Sequence, residues 1–304
     1  MRLWWFVSML IAIPAWATPA WASPASASPA SAAPTSATPV RIVAAEDVYA
    51  AVARDLAGPD AAIVSILHNP DQDPHSFEAS ASIAHEVATA QIAEVNGADY
   101  DPWMDRLLAA SPNADRQVID IAALLGRKPG DNPHLWFDPA AMPAFARALA
   151  TDLDRADPAH ATDHAARLAA FLDSLRPLDA RIAALKGQYA GTPVTATEPI
   201  FGLLAKALGL SMRNEPFQIA IMNGTEPRAS DIRAMEADLR QRNVRFLVYN
   251  RQASDQTAER MRTIAAAAHV TVVGVEETLP EGVTSYQAWV GKTLDAVAQA
   301  LRTP

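Results

Sequence analysis

Asn69-Pro70-Asp71-Gln72-Asp73-Pro74-His75-Ser76-Phe77-Glu78 and, further along, Asn132-Pro133-His134-Leu135-Trp136-Phe137-Asp138-Pro139 share one grammar: polar residue, proline, histidine, and an aromatic two positions on. Proline fixes its own φ and pushes the preceding residue out of the helical region, so each histidine is presented on a stiff, extended loop. A neutral imidazole is the commonest metal ligand, and a nearby carboxylate or carbonyl usually orients its second nitrogen, a role open to Asp73, Glu78 or Asp138. One Pro-His pair reads as a turn with a solvated or packed histidine. Two with the same pattern point to His75 and His134 as metal ligands.

Working outward, residues 40–45 form a β-branched run followed by the helical spacing of Val48, Ala51, Val52 and Leu56, closed by Gly58, which predicts a strand feeding a helix. Residues 61–67 predict a second strand, and it delivers the first Pro-His loop at its C-terminal end, where open α/β sheets place their ligands. Residues 78–89 read as a helix in which His85 is a surface or packing residue. A short strand over 92–96 ends in Asn-Gly, and Tyr100, Trp103, Met104 and Leu107 give one apolar helix face, best read as core. Residues 117–122 predict a strand ahead of the second Pro-His loop, and 141–153 a helix.

From 158 to 188 Leu168, Phe171, Leu172, Leu175, Leu178, Ile182 and Leu185 recur at helical spacing, interrupted only by Pro177. A helix of that length, about 45 Å, is long enough to pass from one domain to the next. His160 and His164, four apart at its start, read as solvated among Asp157, Asp163 and Arg167. Beyond it come a strand at 192–197, a helix at 200–208 closed by Gly209, an apolar run at 217–222 and a helix capped by Ser230 running to about Arg242. Strand, helix, strand and helix follow at 244–249, 257–268, 270–275 and 285–301. Alternation on both sides of the long helix predicts two α/β domains, parallel sheets flanked by helices, with a metal site at the interdomain cleft. The divisions expected are 1–22, 23–39, 40–157, 158–188 and 189–304.

Two histidines do not hold a metal tightly, so the second domain should add acidic ligands at equivalent strand ends. Glu198 follows the 192–197 strand and precedes Pro199; Glu277 follows the 270–275 strand. Glu198 is also placed as a first-turn acid of the next helix, and Glu277 as a loop charge, with Glu276 and Glu226 as substitutes for either.

Composition bounds the function. Of 304 residues, 50% are hydrophobic and 19% charged, enough to bury one or two cores. A net charge of −9 and a pI near 5.2 argue against nucleic acid and favour drawing cations inward. With no cysteine, disulfides, thiolate metal sites, thiol nucleophiles and a lipid-bearing cysteine are all excluded within these residues. Arg2, the apolar run 3–15 and the small-x-small sites Ala15-Trp16-Ala17 and Ala20-Trp21-Ala22 read as a secretory signal over 1–22, too short to span a bilayer. The Ala/Ser/Pro/Thr stretch 23–39 reads as a disordered linker. The expected product is a periplasmic monomer without stable membrane insertion.

Asp-Pro-His-Ser-Phe-Glu, Asn-Pro-His-Leu-Trp-Phe-Asp-Pro and Thr-Glu-Pro-Ile-Phe, with a long helix between two α/β domains, resemble the metal receptors of ABC importers, the TroA-like solute-binding proteins for zinc, manganese or iron. The resemblance runs from about Val40 to Leu301. It implies one divalent ion held as cargo between the lobes by His75, His134, Glu198 and Glu277, delivery to an ABC permease, and no chemistry on the cargo. Zinc receptors of this kind commonly carry histidine where this chain has Glu198, and often a His-rich loop that is missing here. Two imidazoles with two carboxylates, if bidentate, make manganese the first expectation and zinc the second. A metal-dependent hydrolase and a surface adhesin of the same fold are the alternatives. No His-Glu-x-x-His, Gly-x-Ser-x-Gly or phosphate-cradling loop supports an enzyme.

Overall fold

A computed structural model describes residues 1–4, 39–59, 61–69, 71, 74, 77–253 and 255–303. The expected signal and linker, apart from 1–4 and Pro39, lie outside the described residues, and so does His75.

β1 (Arg41–Glu46), β2 (Ala62–Leu67), β3 (Ile92–Val95) and β4 (Gln117–Asp120) form a parallel sheet in the order β2-β1-β3-β4. β5 (Pro193–Ala196), β6 (Ser211–Arg213), β7 (Phe246–Asn250) and β8 (Thr271–Val275) repeat that topology as β6-β5-β7-β8. Parallel neighbours need crossovers, and helices supply them. In the first lobe these are α1 (Asp47–Ala57), α2 (Ala81–Thr89), α3 (Pro102–Ala110), α4 (Ile121–Leu124) and α5 (Ala141–Ala156). After the long α6 (Ala161–Tyr189) come α7 (Gly202–Ala207), α8 (Glu215–Met222), α9 (Ala229–Arg240), α10 (Gln256–Ala267) and α11 (Tyr286–Arg302). The two parallel-sheet α/β lobes and the long helix between them are thus as the sequence predicts.

Three local readings change. The strand expected to 122 stops at Asp120, because the Asp120 carboxylate accepts the Ala123 N–H at 2.9 Å and starts α4. Ser230 is not a cap: α9 begins at Ala229 after Arg228, and the Ser230 hydroxyl bonds Asp231 instead. β6 has no signature in sequence, being three residues of a half-exposed edge.

α6 ties the lobes together. Phe171, Leu175 and Leu185 are buried along it, while Pro177 sits on the exposed side, where a carbonyl deprived of its N–H partner can bond water. Its Arg167 guanidinium donates to the Ala57 carbonyl at the end of α1 at 2.9 Å. Gly58, at φ +78° and ψ −166°, takes a backbone conformation that side-chain-bearing residues rarely adopt, and a Cβ there would also displace that guanidinium. The main core runs through both lobes, joining Ile42, Val48, Trp136 and Phe145 to Phe201, Leu204, Val248 and Trp289. A smaller cluster around Phe217, Met235, Leu239 and Met261 serves only the outer part of the second lobe.

Candidate metal centre

The C-terminal ends of the strands of both sheets converge, as the topology requires. Tyr100 follows β3, His134 lies in the loop after α4, Glu198 follows β5, Asn250 ends β7 and Glu277 follows β8. His134, Glu198 and Glu277 each offer one ligand atom, and these atoms lie within 4.8 Å of one another, with all three residues buried. His134 Nε2 stands 3.6 Å from Glu277 Oε2. Two atoms bound about 2.1 Å from one tetrahedral ion would be about 3.4 Å apart.

Asn132 orients His134. The Asn132 side-chain N–H donates to the Pro199 carbonyl at 2.7 Å, and its Oδ1 accepts the His134 backbone N–H at 3.0 Å, which fixes the amide's direction. The same Oδ1, 2.9 Å from Nδ1, must then accept a proton from the ring. The Nε2 lone pair is left facing the carboxylates, the tautomer a metal ligand needs. The motif's leading asparagine does what the sequence reading gave to carboxylates: Asp138 is bound to Arg127 at 2.9 Å, Glu78 is exposed, and Asp73 lies outside the described residues. Since Pro199 adjoins Glu198, Asn132 also couples the two lobes beside the site.

The carboxylates are held by neutral donors. Asn250, fully buried, gives one side-chain N–H bond to Glu198 Oε2 and one to Glu277 Oε1, both at 2.7 Å. Its Oδ1 accepts the Gln252 N–H at 3.1 Å. Tyr100 donates to Glu277 Oε2 at 2.8 Å; burial and the adjoining Glu277 hold its phenol well above the ordinary value, so it stays a donor. Gln252 Oε1 accepts the N–H groups of Glu277 and Thr278, fixing the loop that carries the ligand. Two buried carboxylates facing an imidazole are costly unless a cation joins them.

Other residues take different roles. Glu276 pairs with Arg251 at 2.7 Å and Glu226 is exposed, so neither joins the cluster. His85 is exposed, and His160 bonds Asp157 at 2.6 Å. His164 is not solvated as the sequence suggested: it is buried, with Nδ1 2.9 Å from Asp154. Tyr100, read as core packing, does lie in the core against Trp136, and its hydroxyl also belongs to the site. Asn250 was missed, although a polar residue ending the apolar run Phe-Leu-Val-Tyr was a signal.

Behind the site lies a second group of acids on the first lobe. Burial, followed by the charges of neighbouring acids, holds Glu46 and Glu94 well above the usual carboxylate range. Burial raises Asp47 and Asp101 to about 6 against the N–H groups that bind them, from Leu279 and Val48 for Asp47 and from Gly97 and Asn96 for Asp101. Asp47 accepts the Leu279 N–H at 2.9 Å across the lobes, two residues past Glu277. A cleft of about 950 Å³ is bordered by Asp131, Asn132, Glu198 and Glu215.

The chain aligns with the manganese-binding lipoprotein MntA of Halalkalibacterium halodurans, 25% identical over 145 residues, covering 46% of this chain and 47% of that protein. It aligns with the high-affinity zinc uptake system protein ZnuA of Paracoccus denitrificans at 23% over 241 residues, 66% of this chain and 72% of the other. In structure it resembles the periplasmic zinc-binding protein TroA of Treponema pallidum, with a TM-score of 0.72 at 19% identity over 86% of this chain and 99% of that one. Among the described residues no helix is long and apolar enough to cross a membrane. The family described as ZnuA, zinc-uptake complex component A, periplasmic, matches residues 42–300, and the chain belongs to it.

Proposed function

We propose that this chain captures one divalent transition-metal ion between its lobes, with His134, Glu198, Glu277 and His75 as ligands, and hands it to the permease of an ABC importer. The observation that carries this is the trio of buried ligand atoms within 4.8 Å. His75 joins them on the strength of its shared Pro-His grammar. Members of this family are metal-binding transport receptors, and the named relatives bind manganese in one case and take up zinc in another. The protein works in the periplasm as a monomer, exported by the segment 1–22. None of its 304 residues is a cysteine able to carry a lipid. The lobes correspond to 40–157 and 189–304, with 158–188 between.

Equilibrium dialysis against zinc and manganese, followed by elemental analysis, tests the reading. One ion per chain is expected, with no turnover of ester or peptide substrates. A metal-free protein at saturating zinc would refute it.

A further inference from the structure

Resting on that reading, we propose that Asn250 sets the coordination number of the bound ion, and with it the choice between zinc and manganese. Carboxylates that bind through both oxygens raise the ligand count and suit manganese, whereas carboxylates that bind through one oxygen suit tetrahedral zinc. Here one oxygen of each carboxylate is committed to the same amide: Glu198 Oε2 and Glu277 Oε1 each receive a 2.7 Å bond from Asn250 Nδ2. The opposite oxygen of Glu277, Oε2, accepts the Tyr100 hydroxyl at 2.8 Å and is the one 3.6 Å from His134 Nε2, on the side from which its second lone pair can meet an ion. Glu277 therefore meets the ion through Oε2 and Glu198 through Oε1, one oxygen each.

The amide cannot turn over without loss. Flipping it would set its carbonyl against two carboxylates and its N–H₂ against the Gln252 N–H that Oδ1 accepts at 3.1 Å. Asn250 is fully buried, and its backbone N–H is bound by Thr197 Oγ1 at 3.3 Å, so the group is fixed by strand and neighbour alike. An aspartate here would repel both ligands. Asparagine places two N–H donors between two acids without adding charge. The geometry thus reverses the metal order drawn from ligand types alone: carboxylates that offer single oxygens, in place of bidentate ones, favour zinc.

The test compares the parent with Asn250→Ala, Asn250→Ser and Tyr100→Phe, each checked for folding by near-ultraviolet circular dichroism. Zinc and manganese are titrated in competition, and X-ray absorption at bound zinc reports its ligand count. The parent should hold zinc with four nitrogen and oxygen ligands. Asn250→Ala should lower the zinc-over-manganese ratio by about tenfold, the lower end of what loss of a ligand's supporting partner costs, and raise the ligand count to five or six. Asn250→Ser, whose hydroxyl can hold only one carboxylate, should fall between. Tyr100→Phe weakens both ions without changing the count. If Asn250→Ala does not fold, the serine variant and the parent's own ligand count still decide. Zinc with five or more ligands in the parent, an unchanged ratio in a folded Asn250 variant, or an equal change in Tyr100→Phe overturns the proposal. Failure of the parent to bind either ion would instead remove the transport reading beneath it.

Discussion

Glu46 and Glu94 at the strands of the first lobe and Glu198 and Glu277 at those of the second are buried to the same depth, at most 2% exposed. Their surroundings differ. Neither Glu46 oxygen has a hydrogen-bond partner among the described residues, and Glu94 receives only backbone N–H groups, from Ala45 and Glu46. Glu198 and Glu277 receive an amide, and Glu277 a phenol as well. Burial without donors favours the neutral acid, and each donor aimed at an oxygen works against that preference. One lobe therefore supplies acids that take up protons, and the other supplies carboxylates whose oxygens are held in place by side-chain donors.

The sharpest way to break this contrast is to remove the imidazole that faces the carboxylates. His134→Ala should weaken metal binding by more than the roughly hundredfold that loss of a supporting hydrogen-bond partner can cost, and His75→Ala should match it. His85→Ala and His160→Ala should titrate like the parent in calorimetry. A His134 variant of normal affinity would dissolve the site.

Next in size is the effect of the ion on stability. Binding to the folded state alone stabilises by about 4 kcal/mol at a thousandfold excess over Kd. For a chain of this size that is roughly 8–16 °C in Tm. Melting curves with and without chelator at pH 7.5 measure it, and coincident curves would mean no tight native site.

Asn132 should matter less. Asn132→Ala frees the His134 ring and the Pro199 carbonyl together, and metal affinity should fall about tenfold. Asn132→Asp keeps the acceptor for His134 and loses the donor to Pro199, so it should retain part of that affinity. Equal losses would mean that lobe coupling, rather than the ring's tautomer, is what Asn132 supplies.

The smallest effect tests the first lobe's acids through pH. A carboxyl whose folded pKa lies above its unfolded one binds its proton more tightly in the fold, so its contribution is complete below the unfolded value and lost as pH rises through the folded value. For Asp47 and Asp101 the window runs from 3.8 to about 6. Metal-free protein should therefore gain Tm from these groups as pH falls from 7 toward 4. The metal-dependent increment should shrink below about pH 6, because imidazole ligands must be neutral. Glu46→Gln should raise the metal-free Tm at pH 7.5 and leave it unchanged near pH 4. A rise at both pH values would point to packing instead of charge.

The shared core bears on how the lobes move. Trp136 of one lobe and Trp289 of the other belong to a single buried cluster, and Tyr286 donates to the Trp136 carbonyl at 3.0 Å. A wide hinge opening would expose that apolar surface, so the fold favours small rearrangements near the cleft.

Much of this was legible in sequence. Period-2 and period-3.6 patterns gave the two lobes and α6, because burial of one face imposes the period directly. The prolines beside His134 and Glu198 marked presented residues, because proline restricts the backbone without help from distant contacts. What hid were the partners: Tyr100 read as core because a phenol has the same apolar body whether or not its hydroxyl has work. His164 read as solvated because its neighbours in sequence are charged, although Asp154, its partner, lies on the preceding helix.

By itself the sequence determined the element order, the absence of thiol chemistry, and which histidines and glutamates were worth considering, since those follow from residue type and local spacing. Only the tertiary structure decided that Glu277 and not Glu276 faces His134, that Asn132 sets the ring's tautomer, and that one amide from β7 holds an oxygen of each carboxylate. Each rests on a contact between residues far apart in the chain, such as the 67 positions between Asn132 and Pro199, whose bond orients the amide, and the 52 between Asn250 and Glu198. A hydrogen bond depends on direction and distance in space, and neither is written in composition or period.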